Sequence, residues 1–89
     1  MRAIITVIGK DKTGIIASVS NLLAKNNVNI EDISQTVLGE FFTMIMLVSF
    51  KNSTIQFSQL VKETELLGKE LGVEIHLQNE EIFNAIHKI

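Results

Sequence analysis

Two hydrophobic periods alternate along the chain. Ala3-Ile4-Ile5-Thr6-Val7-Ile8 is a β-branched run with apolar residues at both parities, which predicts a central strand buried on both faces and ending at Gly9. The polar break Lys10-Asp11-Lys12-Thr13-Gly14 follows, with Thr13 placed to cap the next segment. From there Ile15, Ile16, Val19, Leu22 and Leu23 trace one face of a helix, Ser18, Asn21 and Lys25 occupy the other, and Asn26-Asn27 ends it. Between Val28 and Leu38 the pattern is strand-like but changes parity, since Val28 and Ile30 share one face and Ile33 and Val37 the other. A bulge near Glu31-Asp32 reconciles the two halves.

Leu38-Gly39-Glu40-Phe41 is a hairpin signal, and Phe41 to Phe50 is a third strand. Ser53 and Gln56 stand at capping-box spacing before a helical stripe of Phe57, Leu60, Val61, Thr64, Leu67 and Leu71, with Gly72 as its stop. Val73 to Gln78 alternates as a half-exposed edge strand does, and Glu80 to Ile89 begins acidic and ends near a lysine, as a short helix prefers. The order is β-α-β-β-α-β with a helical tail. It predicts an α+β, ferredoxin-like sandwich: a four-stranded antiparallel sheet with two helices on one face, as one domain over residues 1–79 and an extension over 80–89. The third strand complicates this arrangement. Phe41, Thr43, Ile45 and Leu47 compete with Phe42, Met44, Met46 and Val48 for the covered face, so one row calls for a second cover from the tail helix, a partner copy, or both. A homodimer is expected on that ground.

Composition narrows the function classes. At 89 residues there is room for one small core, and 46% hydrophobic with 20% charged residues is the balance of an ordered domain. A net charge of −2 without a basic stripe argues against nucleic acid. The absence of cysteine removes disulfides, thiolate zinc sites and cysteine nucleophiles at once. Met1-Arg2 leads straight into the first strand without a signal-peptide pattern, and no apolar stretch reaches the ~20 residues of a membrane span, so a cytoplasmic location is expected.

The stretch with chemistry in it is Gly9-Lys10-Asp11-Lys12-Thr13-Gly14-Ile15-Ile16-Ala17, followed by Asn29-Ile30. A loop entering a helix points backbone N–H groups toward whatever lies before it, at the positive end of the helix dipole, which suits a carboxylate. Gly14 removes a Cβ from the approach, and Asp11 offers a carboxylate to an ammonium; an amino acid carries both complementary charges. A strand-to-helix turn needs a glycine and a cap whether or not anything binds there, and spacing alone leaves both readings open.

Asp11-Lys12-Thr13-Gly14-Ile15-Ile16-Ala17, then Val28-Asn29-Ile30 opening the second strand, together with the βαββαβ order, resembles the ACT domain over roughly residues 2–79, and within it the short stand-alone proteins similar to the glycine cleavage repressor. The resemblance implies a non-enzymatic regulatory module without a cofactor, assembled as a homodimer or higher homo-oligomer and binding an amino acid or similar metabolite between copies, with allosteric consequences. It also implies the site: Lys10, Asp11, Lys12, Thr13, Gly14 and Ile15 of one copy facing Asn29 and Ile30 of another. The alternative is a module that docks onto a metabolic enzyme or regulator and binds no ligand. Two departures bear on the ligand. Thr13 replaces the proline common before the glycine, which leaves the loop less rigid, and Asp11 replaces an asparagine found in some members, which favours a cationic group over an anionic one.

Other signals are weaker. Gly9-x-x-x-x-Gly14 lacks the Lys-Ser/Thr pair that a phosphate-binding loop requires after its second glycine. His76 and His87 have no companions at metal-ligand spacing, Glu80-Glu81 serve the tail helix dipole, and Met44 and Met46 suit a core or a dimer face. Acylphosphatase chemistry needs an arginine in a phosphate-cradling loop, whereas Arg2, the single arginine, precedes the first strand. RNA recognition on this topology needs aromatics on the central strands, and the first strand has none.

Overall fold

The structure, a computed structural model, describes residues 1–10 and 13–87, the last three of these by backbone alone. Its elements run β1 (Arg2–Lys10), α1 (Ile15–Lys25), β2 (Asn29–Leu38), β3 (Phe41–Ser49), α2 (Phe57–Leu71), β4 (Glu74–Asn79) and α3 (Glu80–His87). The sheet order is β2-β3-β1-β4, with every neighbouring pair antiparallel. This is the ferredoxin-like βαββαβ sandwich with a short terminal helix. β1 is central and β4 is an edge, as the pattern predicts.

Cross-strand partners share a face, so the register divides the sheet into two sides. Ala3, Ile5 and Val7 pair with Val48, Met46 and Met44, and all six are at most a trace exposed. They meet Ile15, Val19, Leu22 and Leu23 of α1 and Leu60 of α2 in one core. The even row of β3 is therefore the covered one. On the opposite side Ile4 pairs with Leu47, Thr6 with Ile45 and Ile8 with Thr43. There Ile4 is buried, while Ile8 and Ile45 remain open, so β1 is buried on both faces only near its start.

The expected bulge falls where the parity changes: Ile30 pairs with Val48 and Asp32 with Leu47, leaving Glu31 extra. Arg2 uses that kink. Its Nη2 lies 2.8 Å from Glu80 Oε2 and its Nη1 3.4 Å from Glu31 Oε1, tying the first residue of α3 to the start of β1 and to the bulge. Hydrogen bonds to Glu80, then to Glu31, raise the Arg2 pKa above its ordinary value and keep the guanidinium charged.

Three local expectations need correction. Gly9 does not end β1. It lies inside the strand because a Cβ there would come within 2.6 Å of Val73 Cγ1, so the glycine makes room for the turn between α2 and β4. The Ser53–Gln56 capping box does not form: Ser53 Oγ instead accepts from the Ile55 N–H and donates to the Ile55 carbonyl, and α2 begins one residue beyond Gln56. Thr13 makes no side-chain cap on α1 either, since Gly14 is the N-cap residue, at φ 93° and ψ −2°. Gly72, in the left-handed region, ends α2 as expected.

Candidate functional site at the two ends of the sheet

At one end of the sheet β1 delivers Lys10 opposite Phe41, and the chain turns into α1. Thr13 and Gly14 are exposed there, and the positive φ of Gly14 aims the chain into the helix at a geometry that strains any residue with a Cβ. The carbonyl of Gly14 accepts the Ser18 N–H at 2.9 Å, the first helical bond of α1, so the N–H groups of the first turn face the loop. The Ile15 side chain does not take part, being buried in the core; only its backbone N–H is available on the loop side. Asp11 and Lys12 lie outside the described residues.

Asn29 and Ile30 stand at the other end. Asn29 pairs with Ser49, the far terminus of β3 from Phe41, so within one chain the two halves of the expected site are separated by the length of β3, roughly 27 Å at about 3.4 Å per residue. Ile30 is half-buried and packs onto the core, whereas Asn29 is exposed. Asn29 borders a groove of about 490 Å³ whose lining includes Ser20, Asn27, Ile30 and Asn52 and carries no charged side chain among the described residues.

That groove is held by the turn at the end of α1. Asn26 Nδ2 donates to the Leu22 carbonyl at 2.9 Å, the Val28 N–H to Leu23 at 3.0 Å, and Thr54 N–H to the Asn26 carbonyl at 2.9 Å. Asn27 takes a positive φ of 54°, which its short amide side chain tolerates better than most. In the sequence, Asn26-Asn27 reads as a helix stop only. Their second role was missed, as were Ser20 and Asn52, because a groove formed by three separate segments leaves no local pattern.

The strand that joins the two ends is an open edge. Among the described residues β2 has β3 on one side and no strand on the other. Ile33 and Val37 pair with Met46 and Phe42, which puts them on the helix side, yet both are exposed. Ile16 of α1, expected on the buried stripe, is exposed as well, while Ile15 and Val19 are buried. A second groove, of about 470 Å³, lies between α2 and β4. Among the described residues no cluster of three potential ligands could hold a metal, and no helix is long and apolar enough to cross a membrane.

Comparison with known proteins agrees with the fold and extends it. The ACT domain family profile matches residues 2–78. The chain is 50% identical over 88 residues to a UPF0237 protein of Methanocaldococcus jannaschii, spanning 99% of this chain and 98% of that one. An ACT domain protein from Streptococcus pneumoniae has a solved structure that superposes with a TM-score of 0.81 at 51% identity, covering 93% of each chain. A putative glycine cleavage system transcriptional repressor superposes at 0.76 with 27% identity, covering 86% of this chain and 44% of that one. A family profile across nearly the whole chain, together with near-full-length relatives at half identity, establishes that this protein belongs to the ACT domain family.

Proposed function

We propose that the protein is a non-catalytic regulatory module that acts as a homodimer and binds an amino acid between the β1–α1 loop of one copy and the start of β2 of the other. The observation that carries this reading is the separation of the two half-sites along the sheet. Lys10, Thr13 and Gly14 lie at one end and Asn29 at the other, so one chain offers two incomplete walls.

Antiparallel pairing of two β2 edges supplies the missing geometry. Each Asn29 then comes beside the partner's Leu38 and three strand spacings from the partner's Lys10, or roughly 15 Å at about 4.8 Å per spacing. A loop and a small ligand can bridge that gap. The same pairing satisfies the open backbone edge and covers Ile16, Ile33 and Val37, which otherwise leave an apolar margin exposed. The two α1 helices then run antiparallel across the seam, so the N–H groups starting one helix face the uncharged groove at the end of the other. A ligand carboxylate belongs at the first and its ammonium near Asp11. The groove beside Asn29, neutral among its described lining residues, receives the remainder. The similarity to a putative transcriptional repressor supports a regulatory role.

The test is isothermal calorimetry of the full chain against the proteinogenic amino acids at up to millimolar concentration. Saturable binding by at least one, lost in Asp11→Ala and in Asn29→Ala, is expected. No binding by any of them would remove the amino-acid reading and leave a ligand-free docking module.

A further inference from the structure

β4 is the other open edge of the sheet, with β1 on one side and no strand on the other among the described residues. The groove of about 470 Å³ beside it is lined by every position from Val73 to Gln78, so it follows the backbone edge and not one face of the strand. Its far wall is one side of α2, where Val61, Thr64, Glu65 and Lys69 recur at helical spacing. A strand edge opposite a helix wall is a geometry that takes up an extended peptide. The outward N–H and C=O groups of alternate β4 residues hold its backbone, and the groove takes every second side chain. None of the usual blocks on such pairing is present. The chain has no proline, β4 has no lysine, and its register runs from Ala3–Asn79 to Ile8–Glu74 without a bulge, whereas β2 is kinked at Glu31. Six residues give the edge a length of roughly 20 Å at about 3.4 Å per residue.

The register also sets which side chains an added strand meets. Val7 pairs with Ile75 and Ile5 with Leu77, so these two point to the helix side and, with Val61, give the groove an apolar floor. Ile8 pairs with Glu74 and Thr6 with His76, so Glu74 and His76 stand on the opposite face, both exposed. On the helix side Glu65 and Lys69 are exposed and have no ion-pair partner among the described residues. With His76 uncharged, the groove carries two acids against one lysine and favours a basic occupant. The chain's own edges do not supply one. Neither β2 nor β4 contains lysine or arginine, and both carry acid, at Glu31, Asp32 and Glu74. A second copy pairing here by either edge brings more acid and no cation.

We propose that the β4 edge is a docking site for an extended segment of a different protein, in which aliphatic residues alternate with lysine or arginine. The aliphatic side chains lie beside Ile75 and Leu77 against Val61 of α2, and the basic ones lie on the opposite face next to Glu74. Backbone pairing supplies the attraction and the two rows of side chains supply the choice of partner. The site is at the far edge of the sheet from β2 and Asn29, and it is independent of the amino-acid reading.

The test uses the full-length protein and a fluorescein-labelled, capped peptide of alternating valine and lysine, with a peptide of alternating valine and glutamate as its counterpart. Fluorescence polarisation should show saturable binding of the lysine peptide, about tenfold or more tighter than that of the glutamate peptide. The surface variants Glu74→Lys and Glu65→Lys should each weaken it while leaving circular dichroism unchanged. In two-dimensional NMR spectra the peptide should move the amide signals of Glu74–Asn79 and leave those of Asn29–Leu38 in place. No binding at millimolar peptide, equal binding of the two peptides, or shifts along β2 in place of β4 overturns the docking site. So does a lower molar mass of Glu74→Lys than of wild type in light scattering, which would give this edge to a second copy. Neither variant lies in the proposed amino-acid site, so peptide polarisation and amino-acid calorimetry can fail separately.

Discussion

Gly9 and Val73 show how much one missing methyl group decides. The strand β1 and the turn leading into β4 approach so closely that a Cβ on Gly9 would overlap Val73 at both its Cβ, 2.9 Å away, and its Cγ1. Val73 is itself buried, which leaves it little freedom to move aside. Gly9→Ala should therefore destabilise the protein by about 1–3 kcal/mol, the usual cost of overpacking, and Val73→Ala in the same chain should return part of that loss. Urea denaturation of the two single variants and the double variant measures the coupling; strictly additive losses would disprove the contact. No reading of sequence alone separates this glycine from a strand terminator, because the atom it avoids lies 64 positions away. Gly14 was legible, since a glycine just before an amphipathic run announces a turn. Its role as N-cap residue in place of Thr13 was not, because backbone sign decides that and side-chain chemistry does not.

At the scale of elements, periodicity carried most of the fold. The stripes of α1 and α2, the parity change at Glu31 and the clean alternation of β4 each follow from which side chains water excludes, and each is local. What periodicity left undecided was β3, where both rows are apolar. The helices settle it by covering Phe42, Met44, Met46 and Val48. The position of α3 was equally unreadable, because it depends on Arg2 reaching across the sheet end to Glu80 and Glu31. These are exposed ion pairs, so their effect belongs to the helix and not to global stability. Arg2→Ala should leave the denaturation midpoint nearly unchanged while speeding amide hydrogen exchange in Glu80–His87, read by mass spectrometry against the wild type. Unchanged exchange in α3 would mean that packing alone holds it.

At the scale of the whole molecule, the proposed site needs an assembly. Its residues were legible as a motif, yet the register sets them at opposite ends of a nine-residue strand, and no pattern in one chain reveals which edge a second chain uses. The exposed Ile33 and Val37 on the helix side of β2 are what make its edge the proposed seam. A lysine at Val37 puts a charge into the apolar margin that the proposed pairing covers and should shift the proposed dimer toward monomer without unfolding it, visible as a lower molar mass by light scattering at fixed concentration. Calorimetry on the same variant should show weakened ligand binding although Val37 touches neither half-site.

The most direct measurement mixes two inactive proteins. In the proposed dimer Asp11→Ala spoils the loop half of every site and Asn29→Ala the strand half, so neither homodimer should retain an intact site. After subunit exchange, each mixed dimer holds one site with a native loop facing a native Asn29. Ligand binding should therefore reappear in the equimolar mixture at about a quarter of wild-type capacity with wild-type affinity, because half of the dimers carry one of two sites. A mixture that stays silent after verified exchange, or a single variant that binds as well as the wild type, would contradict a site shared between copies.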